Sequence, residues 1–272
     1  MKTKQGWPVG LCSWVLKKSI PEVGEIMERL GINHVHLDLR PALGDDGGRR
    51  DDYLEAVRAQ NWEMASTMIA FPNEDRNTIE SARLSTGVVP SDAWRERRDL
   101  FTMAVDITAE LKVPFLSLHP GYFDSRDAAG YRVFKQRVQN LLDIARDVNI
   151  IILLESGQTT ADGLRYLLED ISDDNIGVNL DPGNSILYGT GCPTQGVGIL
   201  AHWIKQVHIK DAIPGTSDIW GKEVPWGAGA VGADNFLAAL EKVNFQGVIA
   251  IERRNGDNQL AELQRTVDIL RG

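Results

Sequence analysis

The chain has 272 residues, 43% of them hydrophobic and 25% charged, with a formal net charge of -9. This is the composition of a soluble protein with a sizeable core, and its acidity works against a polyanionic partner such as nucleic acid. The opening MKTKQGWPVG lacks the apolar stretch of a signal peptide and no window approaches the roughly eighteen unbroken apolar residues of a membrane helix. The two cysteines, Cys12 and Cys192, form no CxxC pair, so a cytoplasmic protein with two reduced thiols is expected.

Eight short apolar or β-branched runs alternate with amphipathic stretches. VGLCSW (Val9 to Trp14) comes first. A helical pattern follows over Pro21 to Leu30, where Val23, Ile26, Met27 and Leu30 share a face behind a proline suited to the first turn. HVHLDL (His34 to Leu39) is the second run. His34 and His36 stand too early in it to reach a C-terminal rim and are read as packing residues, while Asp38 is read as a substrate contact. GDDGGRRDD (Gly44 to Asp52) reads as a polar loop. MASTMIAF (Met64 to Phe71) precedes a helix over Ala93 to Leu111, whose basic cluster RERRD interleaves with acids. FLSLH (Phe115 to His119) precedes a helix over Tyr131 to Val148, and IILLES (Ile151 to Ser156) one over Asp162 to Ile171. IGVNLD (Ile176 to Asp181), QVHIKD (Gln206 to Asp211) and VIAIER (Val248 to Arg253) complete the strands, and a helix over Asn258 to Leu270 closes the chain. No composition shift marks a second domain. The alternation predicts an α/β fold, one parallel (β/α)₈ barrel over residues 1–272, with a doubly wound open sheet as the alternative.

Barrel active sites lie at the C-terminal ends of the strands, so polar residues there are the first candidates. The fourth strand closes with His119, the fifth with Glu155, the sixth with Asp181, the seventh with His208, Lys210 and Asp211, and the eighth with Glu252. Side chains alternate along a strand. If the faces carrying Glu155, Asp181, His208 and Glu252 point inward, four ligand-type groups from consecutive strands converge. Taken singly, each has an ordinary structural alternative, such as a cap at Asp181 or a core histidine at His208. Three carboxylates and an imidazole without thiolates suit Mn²⁺, Mg²⁺ or a similar ion better than zinc. GAGAVG (Gly227 to Gly232) matches GxGxxG but lacks the strand context of a dinucleotide site. It precedes a helix with Asp234 as a candidate N-cap, so its amides are read either as an anion site or as a flexible turn.

HPG, LLESG, NLDPGN, VHIKDA and IAIER, in this order between His119 and Glu252, resemble the xylose-isomerase-like barrel superfamily of sugar and sugar-phosphate isomerases and epimerases. The resemblance implies a (β/α)₈ barrel with one divalent metal held by Glu155, Asp181, His208 and Glu252. Mn²⁺ is the first choice, with Mg²⁺, Co²⁺ or Zn²⁺ as alternatives, and the two glutamates act as the acid–base pair. HIKD is closer to the phosphopentulose epimerase and inosose dehydratase branches than to the free-ketohexose epimerases. Asn184 stands where several relatives have a histidine, and Ile213, Pro214 and Gly215 where ketohexose epimerases tend to have an arginine. The additional histidines of the three-zinc endonuclease branch have no counterpart between Lys210 and Glu252.

The expected partner is therefore a small sugar or sugar phosphate, with His119, Asn184, Lys210 and Arg254 as substrate contacts. An inosose-dehydratase-like lyase and a non-catalytic polyol-binding barrel are the alternatives. The long segment from Ala212 to Ala233, which holds Trp220 and Trp226, is read either as a lid over a sugar ring or as an excursion against a neighbouring subunit in a homo-oligomer.

Overall fold

The computed structural model describes residues 1–44, 49–216, 219–254, 256 and 258–272. Its strands in chain order are β1 (Val9–Cys12), β2 (His34–Asp38), β3 (Glu63–Ile69), β4 (Phe115–Leu118), β5 (Ile151–Glu155), β6 (Ile176–Leu180), β7 (Ile204–Ile209), β8 (Asp211–Ile213), β9 (Lys222–Val224) and β10 (Val248–Ile251). The helices are α1 (Ile20–Leu30), α2 (Arg50–Arg58), α3 (Ile79–Ser85), α4 (Trp94–Glu110), α5 (Ala128–Arg146), α6 (Ala161–Ile171), α7 (Pro182–Leu187), α8 (Pro193–Leu200), α9 (Ala233–Lys242) and α10 (Gln259–Arg271). Strands β1 to β7 and β10 form a closed parallel barrel, sealed where β1 pairs with β10 through Val9 and Ile249 and with β2 through Gly10 and His34. Closure excludes the open-sheet alternative.

The pleat divides each strand between two environments. Leu11, Val35, Leu37, Leu154, Val178, Val207 and Ile251 are buried in one apolar layer with helix residues such as Leu141, Leu168, Phe236 and Val267. Burying each such side chain stabilises by about 1.5–3 kcal/mol. The alternate positions are polar and equally buried. His36, Ser66, Ser117, Asn179, Gln206 and His208 are each at most 1% exposed and bond to one another across the barrel. A polar interior of this kind costs stability unless its groups are paired. The apolar outer layer carries that cost and fixes where the inner groups point.

Strand ends differ from the sequence expectation in ways that matter for the site. The first strand stops at Cys12 rather than Trp14, because Ser13–Val15 turn as a 3₁₀ helix and set Trp14 on the rim. The third begins at Glu63 and ends at Ile69, and the seventh runs from Ile204 to Ile209. The polar loop expected over Gly44 to Asp52 is shorter, since α2 begins at Arg50; residues 45–48 lie outside the described part. The HPG turn needs its glycine. Gly121 has φ 95°, and a Cβ there would stand 2.4 Å from the Thr86 carbonyl oxygen.

The glycine-rich segment after β7 serves a different purpose from the one expected. The Asp211 carboxylate accepts the backbone N–H groups of Ala212, Gly227, Gly229 and Val231 at 2.8–3.1 Å. A Cβ on Gly229 would meet Asp211 Oδ1 at 2.2 Å. The anion in this cradle is thus the protein's own carboxylate, which overturns the reading of GAGAVG as a ligand-anion site. The N-cap of α9 is Gly232, with Asp234 in the first turn. The β8–β9 hairpin lies against its own barrel, with Trp220 edge-on to Tyr188 at 4.8 Å. Glu223 accepts Arg253 Nη1 at 2.9 Å and the Arg254 N–H at 2.8 Å.

Asp211→Ala removes four hydrogen bonds to one buried charged acceptor. It is expected to destabilise the protein by about 2–4 kcal/mol and to expose the segment 212–233 to proteolysis. Urea unfolding together with limited trypsin digestion checks this, and an unchanged midpoint and cleavage pattern would show that the cradle contributes little.

Candidate metal centre and active site

Four strand ends deliver the central cluster. Glu155 is the last residue of β5, Asp181 follows β6, His208 is the penultimate residue of β7, and Glu252 follows β10. One ligand atom from each lies within 4.8 Å of the others, and all four residues are at most 2% exposed. His208 Nδ1 is 3.1 Å from Glu252 Oε2, 3.4 Å from Asp181 Oδ2 and 3.5 Å from Glu155 Oε1.

Neighbours orient each carboxylate. Asp181 Oδ1 caps α7 by accepting the Asn184 N–H at 2.8 Å, which leaves Oδ2 for the cluster. Glu252 Oε1 accepts Trp14 Nε1–H at 3.0 Å and Arg254 Nε–H at 2.6 Å, which leaves Oε2. Glu155 Oε1 accepts Asn184 Nδ2–H at 2.9 Å. Its Oε2 has no hydrogen-bond partner and stands 3.4 Å from His119 Nε2, which also has none. Two buried polar atoms with no hydrogen bond thus stand face to face beside an oxygen-rich cluster. Three oxygens and one imidazole nitrogen, held by outer partners, fit a hard divalent cation.

Positive side chains also neutralise the carboxylates. Lys210 Nζ donates to Asp181 Oδ2 at 3.2 Å, Glu252 Oε2 at 3.1 Å and Asn184 Oδ1 at 2.9 Å. Burial alone would raise the Glu252 carboxyl, yet Arg254 and Lys210, with a hydrogen bond from His208, hold it well below the usual carboxylate range. Burial holds Glu155 above that range against the pull of His208. Burial would strip the proton from His208, but the negative groups facing it hold it well above the usual imidazole range. Cys12 is not the main source of that charge at neutral pH, since burial pushes its thiol up to about 11.

Beneath the cluster lies a layer that the sequence reading passed over. His36 is a bonding partner as well as a packing residue. Its Nδ1 is 3.1 Å from His208 Nε2 and 2.8 Å from Gln206 Nε2, and its Nε2 is 3.2 Å from the Thr67 carbonyl oxygen. Cys12, His36 and His208 also lie within ligand-sharing distance of one another, but the ring nitrogens of His36 are already committed to these partners and the thiol keeps its proton. His34 is half-buried and pairs with Glu63 at 3.1 Å. Asp38, read as a substrate contact, lines the open cleft while paired to Arg40 at 2.7 Å. That cleft has a volume of about 360 Å³ and shares Trp14, His119 and Arg254 with the cluster. Trp14 was also missed, since an indole on an apolar turn shows no polar signal in sequence. His36, Asn179, Gln206 and Ser117 do carry one, because each stands two positions before a rim residue.

Residues 25–272 match the family described as xylose isomerase-like TIM barrel. No curated protein gives a significant match. A xylose isomerase domain protein from Planctomyces limnophilus is 26% identical and superposes with a TM-score of 0.86 over 97% of this chain and 95% of that one. A xylose isomerase-like TIM barrel protein from Mycobacterium smegmatis, solved with magnesium, is 15% identical with a TM-score of 0.72 over 99% and 97%. The D-allulose 3-epimerase from Methylomonas sp., in complex with D-allulose, is 15% identical with a TM-score of 0.70 over 99% of both chains. Among the described residues no helix is long and apolar enough to cross a membrane.

Proposed function

Because this chain belongs to the xylose isomerase-like TIM barrel family, we propose that it is a divalent-metal-dependent isomerase or epimerase of a sugar or sugar phosphate. The observation that carries the reading is the convergence of Glu155, Asp181, His208 and Glu252 beside an unpaired Glu155 oxygen that faces His119. These four residues would hold the ion, with Mn²⁺ first by donor chemistry and Mg²⁺, Co²⁺ or Zn²⁺ as alternatives. A bound divalent ion would supply positive charge beside the substrate carbonyl, so that the adjacent C–H loses its proton near neutral pH.

The chain's own groups move that proton. Glu155 Oε2, with no hydrogen-bond partner, is the oxygen placed to take or return it. Glu252 comes from β10, three places from β5 around the barrel, and approaches from another side. One glutamate removing the proton and the other returning it to the opposite face inverts the centre, whereas a single glutamate carrying it between adjacent carbons exchanges aldose and ketose. Asn184 holds Glu155, Trp14 and Arg254 hold Glu252, and Lys210 and His119 meet the substrate oxygens. Relatives complexed with magnesium and with D-allulose share the barrel on which this reading is built.

The test is deuterium uptake. Incubation with Mn²⁺ in deuterated water should place deuterium next to the carbonyl of at least one member of a panel of ketoses, ketose phosphates and inososes. Water loss instead would make the protein a lyase. Tightly bound metal with no exchange in any compound would point to a binding barrel without turnover.

A further inference from the structure

We propose that the ligand of this site carries an anionic group, phosphoryl or carboxylate, held by Arg76 and Arg254 in the cleft beside the four-residue cluster. The inference rests on the catalytic reading above for the ligand's other end and narrows its substrate class.

The cleft of about 360 Å³ beside the cluster is lined by three arginines, Arg40, Arg76 and Arg254, against two carboxylates, Asp38 and Glu74, in a chain whose net charge is -9. That inversion of sign is local. Arg40 is closed on Asp38 by Nε and Nη2 bonds at 2.7–3.1 Å, so its charge is answered within the protein. The other two differ. Arg76 gives only Nη2 to Glu74 Oε2, at 2.8 Å, while Glu74 Oε1 is taken by the Gly87 N–H. Arg254 gives only Nε to Glu252 Oε1. Among the described residues no acceptor meets the remaining guanidinium N–H groups of either, although the two side chains are only 31% and 37% exposed.

A guanidinium fork is shaped for two oxygens of one carboxylate or phosphate. A neutral polyol would not offset the desolvation of two partly satisfied cations, whereas an anion would. His119 lines this cleft and stands 3.4 Å from Glu155 Oε2.

The experiment uses ligands that cannot enolise. Xylitol, xylitol 5-phosphate and xylonate are titrated calorimetrically into the Mn²⁺-loaded protein, the phosphate and the acid separating the two sources of negative charge. At least one anion is expected to bind about tenfold or more tightly than xylitol. Arg76→Gln should erase the preference and leave Mn²⁺ affinity unchanged, while Arg76→Lys should keep part of it. Equal affinity for all three probes, or a preference that survives Arg76→Gln, overturns the proposal. The two readings fail separately. Deuterium exchange that is equal for neutral and phosphorylated ketoses and unmoved by Arg76→Gln defeats this inference and leaves the reaction standing. Anion preference that depends on Arg76, with no exchange in any carbonyl compound, supports the binding site and defeats the reaction.

Discussion

Replacing Glu155 or Glu252 with glutamine is expected to lower deuterium exchange beside the substrate carbonyl by about 10²–10⁴-fold at saturating Mn²⁺, the range a positioned acid or base supplies. The substitution keeps the shape and one oxygen but removes the ability to carry a proton. At position 155 the affected atom is the oxygen that has no hydrogen-bond partner and faces His119 at 3.4 Å. At position 252 one oxygen is fixed by Trp14 and Arg254 and the other faces His208 and Lys210. Each variant also loses a carboxylate from the ion site, so Mn²⁺ affinity is measured alongside and exchange is compared only at saturation. A variant that binds the ion and exchanges at the wild-type rate removes that glutamate from the acid–base pair.

The second large effect is expected at Asp181. Its two oxygens have separate tasks, Oδ1 capping α7 and Oδ2 facing the cluster, and the residue is fully buried. Asp181→Asn keeps an oxygen for the cap while removing the charge. It leaves Lys210, Arg254 and a protonated His208 facing two carboxylates in place of three. Mn²⁺ affinity is expected to fall by at least about 100-fold, more than loss of an outer partner of a metal ligand. Stability without metal should drop by about 3 kcal/mol, because a buried charge loses its partner. Calorimetric Mn²⁺ titration and urea unfolding check the two arms, and wild-type affinity in this variant would remove Asp181 from the ion site.

Much of this was legible in the sequence because a barrel turns order along the chain into position around a ring. Once strand and helix alternated eight times, the polar residues at the strand ends were brought to one mouth, which made Glu155, Asp181, His208 and Glu252 candidates for one site if their faces pointed inward. Parity along the strands also carried the polar layer beneath. Gln206 stands two residues before His208, Asn179 two before Asp181 and Ser117 two before His119, and each is buried inside the barrel.

What stayed hidden depends on contacts between distant loops. Trp14 reaches Glu252 because a 3₁₀ turn ends β1 early, and an apolar indole gives no warning of that bond. The strands β8 and β9 are three residues each, too short for a periodic pattern to show. The glycines of GAGAVG make room for Asp211, whose distance along the chain concealed the pairing. Arg76 lies in the loop between β3 and α3, and only the folded barrel shows that it lines the same cleft as Arg254.

The proposed reaction depends on one divalent ion held by four side chains, and anomalous scattering tests this most directly. A crystal of the Mn²⁺-saturated protein should show a single strong anomalous peak at the mouth of the barrel, in contact with Glu155, Asp181, His208 and Glu252. A saturated crystal with no peak among these four residues, or with the ion bound elsewhere, would contradict it.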